Sequence, residues 1–463
     1  MNFIGRKKEI ETLNKLYDSN EYEGILIYGR RRIGKSELIK ESFKNLSYKK
    51  IYFECQKASE EFNTSNLCEI ISQVFNIPKP NFKSFYEVLD YLFNKSLNEK
   101  IILVIDEYPY VRDNKGSLDS VFQNLIDKYK MNSHLKLIIC GSYIDIMEEL
   151  INFNSPLYGR FTLKLNLKQM NYLESSLFYP NASNEDKVAY YSVFGGIPYY
   201  NQYINDKLSV KENIINLIAS NNSRLLSEAE NFLLIELNKL NNANECFLTI
   251  ANGNKKFSDI LNKSHISSSP SLADTLKKLM KMDVIEKVHP INDDSEKKSY
   301  YEINERLSLF YYKYIFNKNS YFKIMPPDLF FDEFIKEDFY SKYVPKEFEE
   351  ISKQYLAIQN LNYKITPTLY KIGKYYYDDP KNKINGEFDC VTLSKNGYDF
   401  YEVKFTNSKI DDSIINEEIN QLNKLKIKYN QLGFISKTGF NITKKENKNY
   451  IFITLDDMYK INV

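Results

Sequence analysis

Nowhere in the 463 residues does an apolar run approach the roughly 20 positions that a membrane-crossing helix needs. The start, Met1 to Glu9, also lacks the basic-then-apolar order of a signal peptide. Both absences lead to the expectation of a cytoplasmic protein with no membrane partner. The five cysteines, Cys55, Cys68, Cys140, Cys246 and Cys390, include no CxxC pair, which argues for reduced thiols filling core rather than a disulfide framework. Histidine is scarce: His134, His265 and His289 are isolated, which argues against a histidine-rich zinc site. An excess of one charge is missing too. Lys+Arg 63 against Asp+Glu 61 leaves +2, so no global field advertises nucleic acid, and any basic surface must be local.

What is present is enough for several cores. The length suggests about three domains, and 43% hydrophobic content can fold them. The stretch Gly29-Arg30-Arg31-Arg32-Ile33-Gly34-Lys35-Ser36 is the eight-residue pattern that wraps backbone N–H groups around nucleotide phosphates. The apolar run Ile25 to Tyr28 precedes it as a predicted strand, and Ser36 to Phe43 leaves it with helical spacing. Gly29 and Gly34 let the backbone turn where a Cβ would clash, and the helix N-terminus faces an anion. Lys35 can reach the β and γ phosphates, and the Ser36 hydroxyl has the right length to ligate Mg²⁺.

Ile101 to Ile105 is a continuous apolar run, the mark of a strand buried on both faces of a parallel sheet. It ends in Asp106-Glu107. At the C-terminal edge of such a strand Asp106 can hold Mg²⁺ through water, and Glu107 can polarise the attacking water. Leu137 to Gly141 delivers Ser142 to the same edge, as a sensor of the γ phosphate. Arg160 falls in the turn Ser155 to Arg160, and two readings stand side by side: an arginine finger, in cis or from a neighbouring subunit, or a partner for a surface acid.

These motifs, with the Phe3-Ile4-Gly5-Arg6 start, Pro156-Leu157-Tyr158-Gly159-Arg160 and Gly195-Gly196-Ile197-Pro198-Tyr199, resemble the archaeal-type ATPases, of the AAA-related signal-transduction group of P-loop NTPases. The resemblance covers about residues 1 to 205. It implies ATP binding, an αβα core and a helical lid after it, with Gly195 to Pro198 as the lid's turn close to the nucleotide.

Residues 206 to 240 read as helices. From Glu245 to Glu305 the order is helix, short helix, longer helix and two strands, Val284 to Val288 and Tyr300 to Ile303, which is the plan of a winged helix. Its third helix carries Lys277, Lys278 and Lys281, which could meet phosphates. It is not strongly basic and carries Asp274 and Asp283 as well, which favours a protein-contact module of the same shape over contact with phosphates. Pro326-Pro327 marks a hinge into the last domain.

In that last domain Gly386 to Leu393 and Tyr398 to Phe405 read as two strands. Asn396-Gly397 between them favours a two-residue type I′ turn, which sets Leu393 opposite Phe400, Val391 opposite Glu402 and Asp389 opposite Lys404. Asp389, Glu402 and Lys404 then project from one face. Such a group must pair or bind metal: either an Asp389–Lys404 ion pair with Glu402 at its edge, or a Mg²⁺ site with Asp389 and Glu402 as ligands and Lys404 positioning the nucleophilic water or stabilising charge on phosphate. The helix predicted over Val344 to Leu356 supplies Glu349, or else Glu350, as a further acid. Asp389 followed by Glu402-Val403-Lys404 resembles the D…ExK core of the PD-(D/E)xK, restriction-endonuclease-like fold, although Phe388 stands where a proline is usual, and Gln421 lies in the following helix.

The expected architecture is therefore multidomain α/β. It comprises a P-loop NTPase core (1–175), a helical lid (176–240), a winged helix (241–305), a linker (306–335) and a nuclease-like α/β domain (336–463). Two functions follow from it. One is a Mg²⁺-dependent ATPase gating DNA cleavage. The other is a nucleotide switch whose winged helix binds DNA or protein and whose nuclease-like domain is inactive. ATP and Mg²⁺ are the expected cofactors, DNA a candidate partner and a homo-oligomer a candidate assembly.

Overall fold

The computed structural model describes residues 3–112, 117–231, 241–379, 384–443 and 450–460. Its contacts divide into two compact units: Met1–Gln169 with Ile197–Tyr199, and Met170–Gly196 with Tyr200–Val463. Of the predicted lid helices, residues 232–240 lie outside the described residues.

The first unit is built on five parallel strands, β1 (Glu23–Tyr28), β2 (Lys49–Glu54), β3 (Ile101–Asp106), β4 (Leu135–Gly141) and β5 (Leu163–Asn166), in the order β2-β3-β4-β1-β5. β1, β3 and β4 are buried along their whole length, as continuous apolar runs require when helices cover both faces. The helices Glu60–Phe75, Phe85–Lys95 and Ser117–Tyr129 pack Leu67, Ile71, Val88, Leu92, Phe122 and Leu125 onto one face. One consequence of the strand order matters for the site. β4 lies between β1 and β3, so whatever follows β4 sits between the loop after β1 and the acids at the end of β3.

The second unit begins with the short helix Tyr172–Ser176, followed by the helix Asn184–Phe194, buried from Val188 to Phe194. The helices Asn241–Ala251, Phe257–Lys263 and Ser269–Lys281 then precede an antiparallel pair, β6 (Ile285–Val288) and β7 (Tyr300–Ile303). The loop joining this pair lies along a neighbouring strand, β8 (Leu369–Asp379). Ile291 N–H donates to the Lys374 carbonyl at 2.8 Å, and the Asn292 amide both donates to the Tyr376 carbonyl (2.8 Å) and accepts from its N–H (3.0 Å).

β8 is the edge of a second sheet, ordered β14-β12-β10-β9-β8, with β9 at Ile384–Ser394, β10 at Gly397–Lys404, β12 at Gln431–Ser436 and β14 at Tyr450–Thr454. A small pair, β11 (Ile410–Asp411) with β13 (Phe440–Asn441), stands apart. β8, β9 and β10 run antiparallel, while β12 and β14 run parallel to β10. The helix Val344–Leu361 precedes the sheet, and Asp412–Lys424 connects β10 to β12.

The β9–β10 turn differs from the expected one. Lys395 and Asn396 form it, and Gly397, at φ 112, follows it as the first residue of β10. Gly397 pairs directly with Ser394, so the two-residue turn is centred on Lys395-Asn396, one place earlier than Asn396-Gly397. The ladder is therefore displaced by two residues: Leu393 faces Tyr398 and Val391 faces Phe400. Because the displacement is even, Asp389, Glu402 and Lys404 keep a common face. Their partners change.

Candidate nucleotide site and a second, ion-paired cluster

The loop after β1 can only be made by glycine at its start. Gly29 has φ 148, and a Cβ there would lie 2.4 Å from the Leu167 carbonyl oxygen. Gly34, at φ 90, caps the helix Lys35–Ser42 without a side chain. Pro198 lies 3.7 Å from where a Gly34 Cβ would be, and Tyr199 receives the Arg32 guanidinium on its ring at 4.1 Å. Pro198 and Tyr199 thus adjoin the phosphate loop.

Lys35 is buried, and its ammonium donates to the carbonyls of Gly29 (2.8 Å) and Arg30 (2.9 Å) and to Ser142 Oγ (3.0 Å). Ser142 Oγ in turn donates to Glu107 Oε1 at 2.7 Å. Ser36 Oγ donates to Asp106 Oδ2 at 2.8 Å, and the Tyr52 hydroxyl donates to the same oxygen. The position of β4 between β1 and β3 makes this chain of contacts possible. Burial lowers the Lys35 ammonium, against the pull of Glu107 and Asp106, and burial followed by the Asp106 charge raises the Tyr52 phenol so that it stays a donor. Glu107 holds left-handed backbone at φ 50, and its Oε2 is buried with no hydrogen-bond partner among the described residues. Strain and an orphaned carboxylate oxygen at a strand's C-terminal edge are features of functional positions.

Lys35, Ser36, Asp106, Glu107 and Ser142 are thus brought together as their spacing suggested. Ser36 Oγ and Asp106 Oδ2 are adjacent hard oxygens, a donor set that fits Mg²⁺, which takes one or two protein oxygens and leaves its other positions to water and phosphate. Tyr52 was not legible as a site residue, because nothing local marks β2 as the neighbour of β3.

Arg160 does not join them. Its carbonyl abuts Gly24, near the start of β1, whereas the phosphate loop begins beyond the strand's other end, five residues on and roughly 16 Å away at strand rise. The guanidinium donates to the Pro156 and Tyr158 carbonyls (2.8 and 3.1 Å) and to Asp127 Oδ2 (2.5 Å). Within this chain the arginine-finger reading is lost, and the acid-pairing reading describes what the side chain does.

The C-terminal residues form two groups. In the first, Lys374 and Lys346 both donate to Asp389 Oδ1, at 2.7 and 2.8 Å, while Lys374 also reaches Glu387 (2.7 Å) and Lys346 lies 2.7 Å from Glu349. A register shift between Gly373 and Tyr375 turns the Lys374 ammonium, buried at 4% exposure, toward these acids. Burial alone would raise the Asp389 carboxyl, but Lys374 and Lys346 hold it well below the usual carboxylate range. Burial and the Asp389 charge push Glu349 up to about 7. In the second group Lys404 pairs with Glu402, and burial with Glu402 beside it pushes Glu418 up to about 8.

The β9–β10 ladder ends at Cys390–Tyr401, one residue short of both Asp389 and Glu402. The expected Asp389–Lys404 pair is therefore absent from the ion pairs of the described residues. Asp389 and Glu402 do not share a partner, and no group of three or more metal-ligating side chains occurs among the described residues. A divalent metal held jointly by Asp389 and Glu402 does not fit the pairing seen: two ammonium groups occupy Asp389 Oδ1, and Lys404 holds Glu402. Glu349 is the helix acid beside Asp389. Glu350 pairs with Lys353 instead. Gln421 donates to the Tyr377 hydroxyl at 3.4 Å. Lys346 and Lys374 escaped the sequence reading because Lys374 comes from a strand that only the sheet brings beside Asp389.

On the third helix of the predicted winged region, Lys278 pairs with Asp274 at 2.7 Å, and Lys277 is exposed. No helix among the described residues is long and apolar enough to cross a membrane.

Residues 3–204 match the family described as an ATPase domain predominantly from Archaea, and residues 311–422 match one described as archaeal and bacterial proteins of unknown function. The uncharacterized protein MJECL04 of Methanocaldococcus jannaschii is 31% identical over 98% of this chain and 99% of its own length. The uncharacterized ATP-binding protein MJECL15 of the same organism is 27% identical over 42% of this chain and 70% of its own. Among solved structures, the Walker-type ATPase paby2304 of Pyrococcus abyssi aligns with TM-score 0.48 at 20% identity, over 67% of this chain and 96% of that one.

Proposed function

Because this chain belongs to the archaeal-type ATPase family, as an ATP-binding P-loop protein, we propose that it hydrolyses ATP with Mg²⁺ and acts as a nucleotide switch. The observation that carries this reading is the continuous path Lys35–Ser142–Glu107 beside Ser36–Asp106. Lys35 would meet the β and γ phosphates. Ser36 and Asp106 would hold Mg²⁺, which supplies charge neutralisation on the phosphates. The unpartnered Glu107 Oε2 would orient the attacking water, and Ser142 would exchange its bond to Lys35 for one to the γ phosphate. Loss of that phosphate on hydrolysis then returns Ser142 to Lys35, a two-state change local to the site.

For the second unit we favour recognition over cleavage. Residues Asn241 to Ile303 would be a winged helix that binds DNA or protein. The helix, three antiparallel strands, helix and parallel strands of the C-terminal sheet would be a restriction-endonuclease-like scaffold. Two lysines on Asp389 support an inert site over a metal-loaded one. ATP-gated nuclease action is the second reading, favoured by the closeness of Glu349 to Asp389 and of Lys404 to Glu402.

Steady-state ATP hydrolysis by the wild-type chain, by Lys35→Ala and by Glu107→Gln tests the first unit. A supercoiled-DNA cleavage assay with Mg²⁺ tests the second: cutting that Asp389→Ala abolishes would restore the nuclease reading.

A further inference from the structure

The phosphate loop carries three consecutive arginines, more cation than backbone cradling of phosphate needs, and their side chains diverge. Arg30 is buried. Arg32, at φ 67, stacks on Tyr199. Arg31 takes a third course: its Nη2 donates to the Tyr143 hydroxyl at 2.8 Å, and its guanidinium lies 5.3 Å from that ring's centroid. Tyr143 directly follows Ser142. It packs edge-on against Tyr110 with centroids 6.1 Å apart, and Tyr110 N–H closes the turn onto the Glu107 carbonyl at 3.0 Å. Arg31 is thereby fixed at the edge that holds Ser142 and Glu107. Its charge reaches both neighbours, lowering the Lys35 ammonium beyond what burial does and opposing the rise that burial and Glu107 impose on the Tyr110 phenol.

We propose that Arg31 is a catalytic residue of the hydrolysis, a cis arginine that contacts the γ phosphate, and that Tyr143 positions it. The proposal rests on the nucleotide reading above. A guanidinium is permanently charged and offers forked donors that match phosphate oxygens. It fills the role that Arg160, held at the far end of β1, does not. In the step it assists, the water oxygen bonds to the γ phosphorus while the bond from that phosphorus to the β,γ-bridging oxygen breaks. The electron pair stays on ADP, and the water proton leaves to solvent by way of Glu107. Arg31 exchanges no proton. It neutralises charge that spreads over the γ oxygens, which ADP lacks, so its contribution belongs to ATP and to the transition state.

Calorimetric titration of the full chain with ATP and with ADP, each with Mg²⁺, combined with hydrolysis rates, tests this. Arg31→Ala is expected to lower kcat by about 10²-fold or more, the cost of one preorganised donor to developing charge. It should also reduce the preference for ATP over ADP, leaving what Lys35 and Ser142 supply, while ADP affinity stays within about twofold, which shows in the same experiment that the chain is folded. Arg31→Lys should not restore kcat, Tyr143→Phe should lower it without changing ADP affinity, and the wild-type rate per chain should not depend on protein concentration. Wild-type kcat and nucleotide preference in Arg31→Ala overturn the assignment alone. So does rescue of Arg31→Ala by an added Lys35→Ala chain, which would make the arginine a trans group. A wild-type chain that binds no nucleotide overturns the nucleotide reading and this assignment with it.

Discussion

Replacing Asp389 by alanine separates an ion-paired scaffold from a metal site by the sign of a stability change. In an acid cluster built for metal, removing one carboxylate relieves repulsion and raises stability, because functional sites trade stability for chemistry. Here Asp389 carries two ammonium groups at 2.7 and 2.8 Å, one of them on Lys374, whose side chain is 4% exposed. Breaking a buried pair by removing one partner costs about 3–5 kcal/mol. The Asp389 side chain is 33% exposed, so solvent screening brings the expectation down to about 2–3 kcal/mol. Lys374 and Lys346 keep Glu387 and Glu349, each at 2.7 Å, which stops the loss from being larger. Calorimetry of the full chain should show the transition of the second unit falling by roughly 4–12 °C. Adding Mg²⁺ should leave that transition where it was in the wild type. A variant as stable as the wild type or more so, or a wild-type transition that Mg²⁺ raises and the substitution makes unresponsive, would refute the scaffold argument.

The other predictions need smaller experiments. Glu107→Gln should bind ATP as the wild type does while hydrolysing it about 10²-fold more slowly, as seen in single-turnover rates beside titration heats. Arg160→Ala should keep kcat within about twofold, and because its pair with Asp127 is partly in solvent, the unfolding free energy from urea titration should fall by no more than about 1 kcal/mol. Gly196→Ala would place a Cβ 1.8 Å from the Met170 carbonyl oxygen, a backbone clash that should cost about 2 kcal/mol or more or prevent soluble expression.

The parts of this fold that were legible in the sequence are those set by neighbours along the chain. Ile25 to Tyr28 and Ile101 to Ile105 are apolar on both faces and could only be interior parallel strands, and Gly29 and Gly34 sit where the backbone takes positive φ. Asp106, Glu107 and Ser142 could be collected because each lies at or just past the end of such a strand, and Lys35 and Ser36 because they close the glycine loop that follows another. The β9–β10 register differs from the expected one for a local reason as well: Asn-Gly suits a type I′ centre, yet the turn closes one place earlier, on Lys395-Asn396, and only pairing along the whole strand decides between them. Tyr52, Lys346 and Lys374 act through partners dozens of residues away or on another element, and Arg160 is fixed by Asp127 across the fold. Contacts of that kind depend on strand order, which periodicity does not encode.

Titration of the full chain with ATP in the presence of Mg²⁺ bears most directly on the claim that the Gly29–Ser36 loop grips a triphosphate. Saturable heat from one nucleotide per chain, lost in Lys35→Ala, is the predicted result. Folded wild-type protein that takes up ATP no better than Lys35→Ala does would contradict it.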